Sequence, residues 1–124
     1  MIRSRLMCFA ATRKPAEALT FYRDTVGLKF VADEPFAVVF DDHATTLRVQ
    51  KVQQLVPAGH TLLGWQVSDI ADRARELAAR GVRFERFDGM VQDELGIWTS
   101  PAGARVAWFK DPDGNILSLT EFSR

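Results

Sequence analysis

Apolar residues recur at helical spacing in two stretches of the chain and at strand spacing almost everywhere else. The first helical stretch opens at Pro15, and a residue without an N–H suits a first turn because that donor has no intrahelical partner. Ala18, Leu19, Tyr22 and Val26 then fall on one side, and Gly27 supplies a left-handed stop. The second stretch opens at Asp69, an N-cap residue, with Asp72 in the first turn, where negative charge suits the helix dipole. Ile70, Ala74, Leu77 and Ala78 follow as its apolar face, and Arg80-Gly81 closes it.

The other segments alternate or run apolar over strand length. They predict strands over residues 5–11, 28–32, 36–41, 46–52, 61–68, 82–87, 105–110 and 115–122, with 94–100 as a short strand or an ordered loop. Asp41-Asp42-His43, Pro101-Ala102-Gly103 and Asp111-Pro112-Asp113-Gly114 separate them by turn chemistry. A repeat is visible as well. Gly27-Leu28-Lys29-Phe30 follows the first helix, and Gly81-Val82-Arg83-Phe84 follows the second. The chain therefore reads as β-α-β-β-β written twice, an α+β arrangement of two similar modules in one domain spanning 1–124, about 1–56 and about 57–124.

Composition narrows the function classes. The 124 residues hold 16 Lys+Arg and 16 Asp+Glu, a net charge of zero, so there is no electrostatic footprint for nucleic acid or an anionic membrane. The 9 Phe, 3 Trp and 1 Tyr supply flat apolar area for a core or a ligand. Cys8 is alone, which leaves no intrachain disulfide and fits a reducing, cytoplasmic setting. The basic N-terminal stretch has no apolar segment of signal-peptide length. The apolar run Phe36–Phe40 is far short of the roughly 20 residues that cross a bilayer.

Three segments in order carry a family likeness: Phe21-Tyr22-Arg23-Asp24-Thr25-Val26-Gly27-Leu28-Lys29-Phe30, Trp65-Gln66-Val67-Ser68-Asp69-Ile70, and Phe109-Lys110-Asp111-Pro112-Asp113-Gly114-Asn115. With them the chain resembles the vicinal oxygen chelate superfamily, which includes glyoxalase I, bleomycin-resistance proteins and extradiol dioxygenases. The stretch from Phe87 to Phe122 is similar to a bacterial glyoxalase-like branch. The resemblance implies paired βαβββ modules, each an incomplete barrel curled around a shared cavity. It also implies a homodimer, often with each cavity completed by the partner chain.

Metal-dependent members of that superfamily hold a divalent ion with His, Glu or Gln from four strands, and the ion stabilises developing oxyanion charge. Carried over by spacing, those slots fall here on Met7, on Arg48 or Gln50, on Leu62 and on Ser118. Only Gln50 among them is a usable ligand, so no metal and no cofactor is expected. A displaced set of His60, Gln50 and Glu121 fails on parity, since Glu121 points away from the face of Ser118.

What remains is a cavity with donors, acceptors and aromatic walls. The candidate ligand-binding residues are Arg48, Gln50, His60, Trp65, Trp98, Trp108 and Ser118, with Thr120 at the same parity as Ser118. Arg48 can clamp a carboxylate or phosphate, or be spent in a salt bridge. Trp98 lies in an irregular Gly-containing segment suited to a pocket wall. Cys8 reads as a packed thiol, Asp93 and Glu94 as a solvated pair or as acids and bases on a loop, and Asp111 and Asp113 as turn builders. The expectation is a bleomycin-resistance-like protein binding a small organic ligand without metal. The alternative is a metal-dependent enzyme, lactoylglutathione lyase-like, isomerase or dioxygenase-like. No nucleophile–base pair in the sequence decides whether it catalyses anything.

Overall fold

Each half of the repeat builds a four-stranded sheet with one strand pair parallel and the others antiparallel. The computed structural model describes residues 3–123; Met1, Ile2 and Arg124, the ends of the expected domain, lie outside the described residues. The chain divides into two compact units, Met1–Val56 and Pro57–Arg124. No helix among the described residues is long and apolar enough to cross a membrane.

In unit one, β1 (Met7–Thr12) leads through α1 (Pro15–Thr20) and a π-helical turn (Phe21–Val26) to β2 (Lys29–Asp33), β3 (Ala37–Asp42) and β4 (Thr45–Lys51). The sheet order is β1-β4-β3-β2, with β1 parallel to β4. Alternation decides what is buried. Ala10, Thr12, Leu47, Val49, Val38 and Phe40 are buried, and so are Ala18, Tyr22 and Val26 on the helix. Phe40 anchors this core, with its ring centroid 5.8 Å from Tyr22 and 6.2 Å from Phe30.

The sequence predicts one uninterrupted helix from Pro15 to Gly27, and the structure widens its second half into π geometry. The amides of Gly27 (3.1 Å) and Leu28 (2.9 Å) both donate to the Tyr22 carbonyl, and Gly27 ends the turn at φ 91°. A 3.6-residue period reports which side chains are buried, but not this change of hydrogen-bond register.

In unit two, β5 (Thr61–Gln66), α2 (Ile70–Ala79), β6 (Trp98–Thr99), β7 (Arg105–Lys110) and β8 (Ile116–Glu121) follow in order. The sheet runs β5-β8-β7-β6, again with the first and last strands of the unit parallel. Asp69 caps α2 by accepting from the Asp72 amide at 3.1 Å, and Glu121 Oε1 accepts from the Ile70 amide at 2.8 Å. Ile70, Ala74 and Leu77 are buried as the helical spacing predicts, whereas Ala78 is exposed. Asp111 builds the β7–β8 turn. Its Oδ1 accepts from the amides of Asp113 and Asn115, each at 2.9 Å, and its Oδ2 accepts from Asn115 Nδ2 at 2.8 Å.

One predicted strand is absent: residues 82–87 form no ladder. Phe84 still packs against Phe109, with centroids 5.6 Å apart. The segment keeps one backbone bond to β7, from the Glu85 amide to the Trp108 carbonyl at 2.8 Å, and a side chain takes two further backbone groups. Gln92 Nε2 donates to the Glu85 carbonyl at 2.9 Å, and Gln92 Oε1 accepts from the Phe87 amide at 2.9 Å. The edge of this sheet is therefore the two-residue β6, extended by a single bridge between Gln92 and Trp98.

Candidate functional site

The register of unit two sorts its side chains onto two faces. Trp98 pairs with Val106 and Val106 with Thr120; Trp108 pairs with Ser118 and Ser118 with Gly64. Paired residues share a face, so Trp98, Trp108, Ser118 and Thr120 stand together on one side of the sheet. The opposite side carries Ala107, Phe109, Leu117 and Leu119, all buried.

Aromatic rings cluster on the first face. Trp98 and Trp108 lie 6.1 Å apart between centroids, and Phe87 meets Trp108 edge-on at 5.5 Å and 89°. Gly64 keeps the neighbouring row low, because a Cβ there would stand 2.8 Å from Ser118 Oγ. Beside Trp98 opens a cleft of about 560 Å³, a volume suited to a small organic ligand. Val91, Ile97, Trp98 and Pro101 supply its apolar walls, and Gln92, Asp93 and Thr99 its polar groups.

The cleft wall is an irregular loop held by two side chains. Gln92 Nε2 makes a second bond to the Gly96 carbonyl (2.8 Å), so this one amide ties three backbone positions. Asp93 Oδ1 accepts from the amides of Leu95 and Ile97, each at 2.9 Å. Gly96 sits buried at φ 90°, and a Cβ there would lie 2.9 Å from Phe84 Cβ. Gln92 lines the cleft and Phe87 packs behind its wall on Trp108, and sequence reasoning selected neither; Asp93, weighed there as a solvated residue or an acid or base on a loop, lines the cleft. Nothing in the local pattern signals the Gln92 contacts, which depend on the path of the loop.

The other candidates fall elsewhere. Trp65 stands on the opposite face of β5 from Gly64 and stacks with buried Phe109 at 6.5 Å and 25°, so it does not join Trp98 and Trp108. His60 is exposed just before β5, with Nδ1 3.0 Å from the Thr61 carbonyl oxygen, and it is not part of the cleft wall. In unit one, Arg48 pairs across the sheet with Phe9 and Val39, and its Nη2 bonds Glu34 Oε1 at 3.0 Å. Its guanidinium is spent in a salt bridge of partial exposure. Gln50 is exposed on the same face, beside Ala11 and Ala37. Asp24, on the helix of unit one, is held below the usual carboxylate range by its hydrogen bond from Arg23 and belongs to neither sheet face.

The slots that the fold would use for a divalent ion do not fit one. In unit one, Met7 offers a thioether, and the second slot falls on Arg48, a cation, or on Gln50, the one usable ligand; in unit two, Leu62 offers no donor and Ser118 a neutral hydroxyl. Glu121, the one carboxylate near the last of these positions in sequence, faces the helix and accepts from the Ile70 amide. Among the described residues no group of three or more His, Cys, Asp or Glu is placed to hold a metal ion.

Comparison with known proteins agrees with this architecture. A sequence model of the Glyoxalase/Bleomycin resistance protein/Dioxygenase superfamily matches residues 6–119. TnmS3, an antibiotic binding protein from Streptomyces sp. CB03234, superposes with a TM-score of 0.74 at 25% identity, covering 98% of each chain. Lactoylglutathione lyase from Agrobacterium tumefaciens superposes with a TM-score of 0.74 at 18% identity, covering 98% of this chain and 95% of that one. TioX from Micromonospora sp. ML1 gives 0.72 at 17%, covering 97% and 99%. No curated protein is significantly similar in sequence.

Proposed function

The chain belongs to the Glyoxalase/Bleomycin resistance protein/Dioxygenase superfamily, and we propose that it binds a small organic ligand in the cleft beside Trp98 in unit two and does so without a metal ion. One observation carries this reading: Trp98, backed by Trp108 and Phe87, forms a wall of a 560 Å³ cleft whose loop is already fixed by Gln92 and Asp93. A wall ordered before the ligand arrives loses little freedom on binding, which favours affinity. That an antibiotic binding protein shares the fold at 25% identity supports the same reading.

The metal slots support a binder over a chelate enzyme, because a Lewis-acid mechanism needs carboxylate, imidazole or amide ligands, and Met7, Leu62 and Ser118 supply none of these. The reading includes a homodimer in a reducing, cytoplasmic setting. Exposed Met7 (44%) and Phe9 (45%) on the sheet of unit one offer apolar surface to a second copy.

The test is tryptophan fluorescence during titration with a panel of flat aromatic compounds, with elemental analysis of the untagged protein alongside. Saturable quenching that Trp98→Phe weakens about tenfold is expected. A panel that leaves the emission unchanged, or near-stoichiometric divalent metal in the purified protein, overturns the reading.

A further inference from the structure

The cleft beside Trp98 contains one ionisable side chain, Asp93, and half of its carboxylate is uncommitted. Oδ1 takes the Leu95 and Ile97 amides, while Oδ2 has no hydrogen-bond partner among the described residues. The nearest arginine in sequence, Arg86, does not line the cleft and gives its Nη2 to the Glu94 carbonyl at 3.0 Å. Glu94, beside Asp93, is exposed and adds charge of the same sign. Arg105 pairs with Thr99 across β6 and β7 but does not line the cleft.

An indole face and a free carboxylate oxygen complement the same chemistry. The ring quadrupole attracts a cation over its face, and the carboxylate accepts a charge-assisted hydrogen bond from an N–H donor. We propose that this cleft selects flat organic cations: protonated aromatic amines that stack on Trp98 and donate an N–H to Asp93 Oδ2. The inference rests on the cleft being the ligand site and adds the charge class of the ligand.

Two three-ring probes of opposite charge separate the possibilities. The whole protein at neutral pH is titrated with 9-aminoacridine, a planar cation, and with 9-anthracenecarboxylate, a planar anion. Affinity is read by tryptophan quenching and calorimetry. The cation is expected to bind at least about tenfold more tightly. Asp93→Asn retains an Oδ1 for the Leu95 and Ile97 amides and removes the charge, so it should erase that preference with an unchanged melting temperature. In the wild-type protein, raising salt should weaken the cation and leave the anion unweakened, a measurement that stands even if the variant does not fold. Equal affinities for the two probes, or a cation affinity indifferent to salt, overturn the charge selection and leave the cleft as a neutral aromatic site. If neither probe binds, the ligand-site reading falls, and the inference falls with it.

Discussion

Units one and two share a strand order, yet they treat the segment after the helix differently. In unit one that segment is β2, a five-residue strand laddered onto β3 with one irregularity between Phe30 and Ala32. In unit two the matching residues form no ladder and keep one backbone bond to β7, from the Glu85 amide to the Trp108 carbonyl at 2.8 Å, while the two-residue β6, formed by Trp98 and Thr99, pairs with β7 in the edge position. Both versions keep the aromatic pair beneath, Phe30 on Phe40 and Phe84 on Phe109. The core contact is held constant while the edge is rebuilt. Freed from the ladder, the chain of unit two has length to form a loop, and that loop is the wall of the cleft.

Breaking the rebuilt edge is the most direct way to test this contrast. Gly96→Ala forces a side chain into a left-handed backbone and within 2.9 Å of Phe84 Cβ, so a loss of about 3 kcal/mol is expected in denaturant unfolding. A loss below ~1 kcal/mol would mean that the loop yields more readily than its packing implies. Gln92→Ala removes three hydrogen bonds at once and should lower stability by about 2 kcal/mol, with quicker amide exchange at Phe87. Unit one has no matching vulnerability at β2. Its nearest side-chain tie, Lys51 to Asp33, is an exposed pair at 2.6 Å, so Lys51→Ala should cost less than about 1 kcal/mol.

The hairpins sharpen the comparison at smaller scale. His43 holds the β3–β4 turn at φ 53°, where Gly114 serves the β7–β8 turn at φ 89°. His43→Gly relieves the strain of a side chain in that region and frees the unfolded chain somewhat, leaving a net gain of about 0.5 kcal/mol. A lowered melting temperature would show that the exposed His43–Asp42 contact, 3.6 Å apart, matters more than the backbone.

Both units were legible in the sequence wherever burial follows a fixed period. The helices, the strands around Val38, Val49, Phe109 and Leu117, and the turn at Asp111–Gly114 all follow from spacing and turn chemistry. Residues 82–87 alternate as 28–32 do, yet only the latter form a strand. The difference is that residues 82–87 keep a single backbone bond to β7, at Glu85, while a glutamine further along the chain ties the Glu85 carbonyl and the Phe87 amide. Trp65 shows the same limit in the site. Counting in twos along β5 separates it from Gly64, but residue type alone groups it with Trp98 and Trp108. Asp93 carries the chemistry of a possible acid, and only the path of the loop reveals that one of its oxygens is a structural acceptor.

The carboxylate of Glu121 on the Ile70 amide also bears on the order in which the chain can fold. The two residues are 51 apart in sequence, and β5 must wait for β8 before it has a strand to pair with. Unit one closes its corresponding pair, β1 with β4, by Lys51. During synthesis, the sheet of unit one can be complete while the start of α2 still lacks its acceptor. The β5–β8 pair therefore closes late, and a pause or truncation before Ile116 would leave Trp108 on β7 without its partner strand.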